Sequence, residues 1–288
     1  MRNECGPRPR TFRRVYGLML CAFWASVAWS GGCASKDAAG GAAGAAAPTR
    51  REQLTAGFQA FEERRYEDAI QSAERVLADD SVGPGSAEAL YLEARVHEQK
   101  AKDSTNTGQA RDHLREAKGL FMRVLSMTPP QPLDAYARAG LANVSHFLDD
   151  YATAAREWGA AYPHIREMDA QAWVGYRAGL SEQRLGNFDA ADRHFAEVQQ
   201  LFPGSEQARR AAAHQGAKAF HVQVGTFTTA ANAQSTIAGL KSRGYTPARF
   251  TDPQGRQVVG VGPIPTYAQA KSLRDKLAAQ YPGAAIVP

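Results

Sequence analysis

Slid forward by 37 positions without a gap, residues 222–245 meet identical residues at eight of 24 places: Val222, Val224, Gly225, Thr229, Ala231, Ala233, Ser235 and Leu240. The unit Val222-Gln-Val-Gly-Thr-Phe227 returns as Val259-Gly-Val-Gly-Pro-Ile264. A unit this short cannot bury its own apolar side, so two copies in tandem constrain the last seventy or so residues to one compact module whose halves cover each other.

Local pattern gives the content of each copy. Phe220, Val222 and Val224 alternate with His221, Gln223 and Gly225. This period of two in a β-branched run predicts a strand with one buried and one open face. After Thr228-Thr229 the period changes: Ala233, Ile237 and Leu240 recur at helical spacing behind a threonine suited to cap them. Gly244 stands where a left-handed C-terminal cap is expected. The second copy predicts a strand over 256–262, a cap at Thr266 and a helix carrying Ala270, Leu273 and Leu277. Tyr245–Phe250 reads as a further strand, Asp252-Pro-Gln-Gly255 as a hairpin turn and Ala284–Val287 as a last short strand. The expected fold is βαββαβ, a four-stranded antiparallel sheet with both helices on one face and the other face open.

The stretch FHVQVGTFTTAANAQSTIAGLKSRGY, followed by VVGVGPIPTYAQAKSLRDKL, resembles the SPOR domain family over residues 219–288. The resemblance implies binding of peptidoglycan through the open sheet face, in particular of glycan strands stripped of their peptides at the division septum. Carried over by position, it implicates Gln223 and Thr226 in the first strand and Arg256 and Val258 in the third. Many relatives carry arginine where Val258 stands, a larger residue at Gly260 and an aromatic at Ile264. Arg256, two residues before Val258, is read as a substitute projecting from the same face.

Charge and cysteine usage place this module in a context. Residues 217–288 hold eight Lys/Arg and two Asp, a net of +6, whereas residues 33–216 hold 21 basic and 26 acidic residues, a net of −5. A basic module beside an acidic one fits a polyanionic or cell-wall partner. At the N-terminus, a basic segment precedes the 15-residue apolar run Val15–Trp29, too short for a membrane span of ~20 residues, and Ser30-Gly31-Gly32 then leads into Cys33. This resembles a bacterial lipoprotein signal, which implies cleavage after residue 32 and lipidation of Cys33. Ordinary signal-peptidase cleavage, giving a soluble exported protein, is the alternative. Ala34-Ser35 supply no inner-membrane retention aspartate, so the outer membrane is the expected anchor site in a diderm. Cys5 and Cys21 lie in the leader, so the mature chain would have neither a free thiol nor a disulfide. Residues 33–49 read as an Ala/Gly tether. Its fifteen low-complexity residues 34–48 span about 20–25 Å as a coil.

Between tether and module, residues 50–203 alternate short amphipathic helices. In 172–203, Ala178-Gly179, Gly186, Phe188, Ala191, Phe195, Val198 and Pro203 fall at the spacing of a tetratricopeptide repeat (TPR), with small residues in helix A and an aromatic in helix B. Close helix approach requires the small residues, and the aromatic fills the gap to the next unit. Weaker copies contain Gly57, Ala69 and Ala73; Leu90, Ala94, Ala117 and Phe121, with a longer inter-helix loop expected around 101–108; and Tyr136, Gly140, Tyr151, Ala154 and Trp158. Four units suffice for a TPR-like solenoid. Residues 204–217 read as a capping helix and linker, leaving 218–288 as the SPOR-type domain. A TPR array implies an unidentified protein or peptide in its groove, for which Arg95, Asn143 and Tyr176 are candidate contacts.

Catalytic patterns are missing from the sequence. It contains no HExxH, no G-x-S-x-G and no Walker loop, and its seven histidines are scattered. The module 218–288 has no glutamate or cysteine, which argues against a hydrolase site there. The βαββαβ order is shared with RNA-recognition domains, but an open face without paired aromatics, and an export signal, argue against nucleic acid. The expectation is a non-enzymatic, cofactor-free and metal-free lipoprotein of the cell envelope, binding denuded glycan strands and a protein partner, with a membrane lipid anchor and a role in division or envelope organisation. The alternative is a TPR scaffold for envelope assembly whose SPOR module has little glycan affinity.

Overall fold

The computed structural model describes residues 48–288 apart from Asp80, Pro84 and Pro253. The expected leader, the lipidation site Cys33 and the tether as far as residue 47 lie outside the described residues. The chain divides into two compact units: the described part of Met1–Leu148 with Ala160–Gln171, and Asp149–Gly159 with Ala172–Pro288.

The first unit is built on antiparallel helices α1 (Arg50–Glu62), α2 (Tyr66–Asp79), α3 (Ser86–Asp103), α4 (Thr107–Ser126) and α5 (Leu133–Phe147). A capping box starts α1: Thr49 Oγ1 accepts from Glu52 N while Glu52 Oε2 accepts from Thr49 N. Small residues set the packing, as the repeat pattern predicts. A Cβ at Gly57 would lie 2.7 Å from Leu92 Cδ2 on α3, and one at Gly140 on α5 would lie within 2.5–2.8 Å of Cε1 and Cε2 of Phe121 on α4. Phe121, wholly buried, thus occupies a hollow that only glycine leaves open. The longer loop expected around 101–108 is absent. Helix α3 runs on to residue 103 and α4 begins at 107, leaving 104–106 as the connection, and Asn106 Oδ1 caps α4 by accepting from Gly108 N and Gln109 N.

The second unit contains α6 (Tyr151–Ala161), most of α7 (Met168–Leu185), α8 (Phe188–Leu201), α9 (Glu206–His214) and the C-terminal module. Trp158 meets Trp173 edge-on, with ring centroids 4.9 Å apart. Phe195 of α8 lies on Gly179 of α7, where a Cβ would approach its ring to 2.6 Å. The aromatic of this repeat therefore seats against the small residue of its own unit, while also reaching His214 on α9. The segment behind α9 is tied to α8: Gly216 N donates to Asp192 Oδ1, and Lys218 Nζ pairs with Asp189 and Asp192 at 2.8 and 3.1 Å.

The module runs β1 (Phe220–Phe227), α10 (Ala230–Lys241), β2 (Pro247–Thr251), β3 (Gln257–Ile264), α11 (Tyr267–Ala278) and β4 (Ala285–Val287). The sheet order is β2-β3-β1-β4, antiparallel at every pair. This is the architecture expected from the duplication, with the third strand one residue later at its start and two longer at its end. Thr229 Oγ1 and Thr266 Oγ1 cap α10 and α11 by accepting from Asn232 N and Gln269 N. Gly244 takes its left-handed conformation at φ 80°. Val222, Val224, Val259 and Val261 form one core with Ala233, Ile237, Leu240, Ala270 and Leu277 beneath the helices. A buried valine of this kind contributes about 1.5–3 kcal/mol.

The core is extended by residues outside the duplication. Phe188 of α8 packs on Phe220 at 5.4 Å. The Arg184 guanidinium lies over the rings of Tyr151 and Tyr267, at 5.0 and 4.5 Å, and Lys271 on α11 pairs with Asp149 at 2.5 Å. The helix side of the sheet is therefore braced by the final helical pair, leaving the opposite face of the sheet as its free side.

Candidate functional site

The free face is decided at the central pair of strands. β1 and β3 are the duplicated strands, and Val222 opposes Val261, with Gln223 opposing Gly260. The register then slips: Gly225 opposes Val259, so Val224 has no partner of its own. A bulge of this type inverts the facing of every residue beyond it. Gln223 points away from the helices. Without the bulge Thr226, three residues on, would point towards them. With it, Thr226 opposes Val258 and returns to the free face, where Gln223 Nε2 donates to its Oγ1 at 3.1 Å. A second shift lies in the stretch of β3 containing Gly262, the position equivalent to Gly225 in the other copy.

Register across the sheet gives the rest of the surface. One row holds Phe250 on β2, Val258 on β3 and Thr226 on β1; the next holds Ala248, Gly260, Gln223 and Ala285. His221 faces the same way one row further, opposite Val287. Because Ala248 and Gly260 raise nothing taller than a methyl group between them, the Phe250 and His221 rings lean together and meet edge to face at 4.9 Å. Phe250 remains 41% exposed. The free face therefore does carry an aromatic pair, contrary to the sequence expectation. The pair presents a phenyl and an imidazole at right angles to each other, rather than two parallel platforms. Burial pushes the His221 imidazole below its ordinary range, which favours the neutral ring.

Of the four residues implicated from sequence, three come together: Gln223, Thr226 and Val258. Arg256 falls outside β3. It closes the β2–β3 turn, where its backbone N donates to Asp252 Oδ1 at 2.8 Å and its Nε pairs with Asp252 Oδ2 at 2.6 Å. Parity with Val258 placed it on the strand, but the aspartate that opens the turn captures it. The sequence reading missed His221 and Phe250. His221 was legible as outward-facing from its alternation, whereas the facing of Phe250 depends on its pairing with Val258. Among the described residues no three or more His, Cys, Asp or Glu side chains are grouped to hold a metal.

In the helical array the three candidate groove contacts are turned inward. Arg95 and Asn143 are 4% and 2% exposed and meet through Glu98: Arg95 Nε lies 3.1 Å from Glu98 Oε2, and Asn143 Nδ2 donates to Glu98 Oε1 at 2.5 Å. Tyr176 is buried against Phe195 and His214. Expected as groove contacts, Arg95 and Asn143 instead meet at the buried Glu98, whose carboxylate offsets the buried Arg95 charge.

Comparisons with known proteins bear on the C-terminal module. The family model described as SPOR domain matches residues 216–288. No curated protein matches the chain. Among solved structures, the chain is similar to pilF of Pseudomonas aeruginosa (17% identity, TM-score 0.46, covering 58% of this chain and 67% of that one). It is also similar to a tetratricopeptide repeat protein from Parabacteroides merdae (16% identity, TM-score 0.46, 57% and 58%) and to YrrB, a TPR protein with an unusual peptide-binding site (19% identity, TM-score 0.46, 58% and 77%). SPOR domains belong to a peptidoglycan-binding family of the bacterial envelope. The chain carries a SPOR domain at residues 216–288 behind a TPR-like helical array.

Proposed function

We propose that this chain is an exported, non-enzymatic lipoprotein of the bacterial envelope that holds glycan strands on its free sheet face and a protein partner on its helical repeats. The observation that carries the reading is the bulge in β1, which assembles Gln223, Thr226 and Val258 beside the His221–Phe250 pair in the segment matched by the SPOR model. The chemistry suits a sugar polymer. Phenyl and valine surfaces accept the apolar faces of pyranose rings, while a hydroxyl and an amide on adjacent rows pair with acetamido and hydroxyl groups. Cleavage after residue 32 and lipid on Cys33 would hold the protein at a membrane, the outer one in a diderm, with the tether reaching from the anchor to α1 at residue 50. The role that fits both binding folds is organisation of the envelope, with the septum as the place where denuded strands are enriched.

Co-sedimentation with peptidoglycan sacculi, intact and after amidase treatment, tests the glycan reading. Pelleting that rises after stripping is expected, and none with stripped sacculi would overturn it. For the anchor, Cys33→Ser should release the protein from membranes. A second reading, a TPR scaffold with a weakly binding SPOR module, is favoured by one observation. The only arginine assigned to the site is engaged by Asp252 instead of lying on the sheet.

A further inference from the structure

Two of the histidines that look scattered in sequence meet in space. His97 lies six residues before the end of α3 and His113 six residues into α4. Their Nδ1 atoms are 3.2 Å apart and their rings stand edge-on, with centroids 5.3 Å apart. Both side chains are half-buried, reached from the surface of the hairpin.

Two imidazole nitrogens on neighbouring helices have two ways to tolerate such an approach. They share a proton, or they share a cation. Two nitrogens each about 2.0–2.1 Å from a tetrahedral zinc are separated by about 3.3 Å, so the observed spacing is that of one edge of the coordination shell. The surroundings permit the cation. Burial, then the neighbouring His113 and Lys100, push the His97 imidazole below its ordinary range, which leaves it neutral and able to ligate. The charge of Lys100 is itself held by Glu67 at 2.9 Å, and Glu116 on α4 acts on His97 with the opposite sign.

We propose that His97 and His113 form an open two-nitrogen site for a divalent cation of the zinc–nickel–copper class, in which Nδ1 of each ring is a ligand and the remaining positions are filled by water. Imidazole selects these borderline cations over magnesium and calcium, which take oxygen ligands. The cation would clasp α3 to α4 in the longest helical hairpin of the described residues.

The test is calorimetric titration of the untagged chain with zinc chloride, with magnesium chloride as control. A saturable one-to-one isotherm with zinc alone is expected, lost in His97→Ala and in His113→Ala and kept in His164→Ala. No saturable binding to the parent chain, or binding retained in both variants, overturns the proposal. Should either variant fail to fold, diethylpyrocarbonate labelling of the parent chain read by peptide mass spectrometry decides the matter. Zinc should protect His97 and His113 together. Labelling of both unchanged by zinc means that a shared proton alone joins the rings, and the site is refuted.

Discussion

Gln223 and Thr226 are three residues apart on a single β-strand, yet the Gln223 amide donates to the Thr226 hydroxyl at 3.1 Å on one face of the sheet. Only the unpartnered Val224 makes this geometry available, and the two polar groups become a ready-made pair beside Val258 and Phe250. If this pair contacts glycan, Gln223→Ala removes both a ligand contact and the group that orients Thr226. Losing one such hydrogen bond costs about 1 kcal/mol, so sacculus binding should weaken about fivefold with thermal stability unchanged. Equal pelleting of parent and variant would move the site elsewhere on the domain.

Arg256 separates a binding role from a turn role. Its pairing with Asp252 is exposed at the arginine end and should contribute little to stability. Arg256→Ala is expected to lower the melting temperature slightly and leave glycan affinity within about twofold, because the guanidinium is directed to Asp252 and not along β3. A loss of pelleting as large as that of Gln223→Ala, at unchanged stability, would show that the side chain leaves the turn to meet the ligand.

The difference between these two residues also marks where sequence reading stops. Alternation in β1, the threonine caps at 229 and 266 and the glycine at 244 are consequences of local periodicity and local backbone need, so they are visible in one dimension. The facing of Thr226 and Phe250 depends on which residue of β3 stands opposite, and no pattern within a single strand encodes that. The same holds in the helical array. The polar run around 101–108 reads as a loop, but Lys102 pairs with Glu98 one turn back and Asn106 caps the next helix, so the chain stays helical almost to the turn. Arg95 and Asn143 look like surface residues until Glu98, which joins them, is seen to be buried.

Glu98 is the charge on which that cluster depends. Burial by itself pushes its carboxyl up, but Lys102, Arg95 and the Asn143 amide together hold it below the usual carboxylate range. Glu98→Ala would leave Arg95 buried without its counter-charge, and urea unfolding should show a loss of about 3–5 kcal/mol. A double replacement, Arg95→Met with Glu98→Leu, should recover most of the loss by removing both charges. Failure to recover would mean that the pair is required for the packing itself. With a lowered folded value, the contribution is present at neutral pH and is lost as the pH falls through that value, on the acid side of the ordinary carboxylate range.

Phe121 and Gly140 form a single steric unit across α4 and α5. A methyl group at position 140 would overlap the wholly buried phenyl ring, and Gly140→Ala should cost about 1–3 kcal/mol. Trimming the ring should release the overlap: in Phe121→Leu the same Gly140→Ala change is expected to cost clearly less. Additive effects of the two substitutions in thermal unfolding would show that the ring and the glycine do not share this space.

Acid should loosen the last helical pair through His214. Gln183 Nε2 donates to the His214 carbonyl at 3.1 Å, which turns Gln183 Oε1 towards His214 Nδ1, 2.9 Å away, so the neutral ring carries its proton on Nδ1. Burial between Tyr176 and Phe195, and then the charge of Arg184, push the imidazole below its ordinary value near 6.5. A histidine lowered in the folded state binds its proton more tightly when unfolded. Its effect is therefore absent well above the ordinary value and becomes a growing destabilisation as the pH falls from there towards the folded value. His97, His194 and His221 are lowered as well and act with the same sign. The melting temperature should fall between pH 7.5 and 5.5. The fall should be smaller in His214→Phe, which keeps an aromatic ring against Tyr176 and Phe195 but cannot take up a proton. An identical slope in parent and variant would remove His214 as a source of the acid sensitivity.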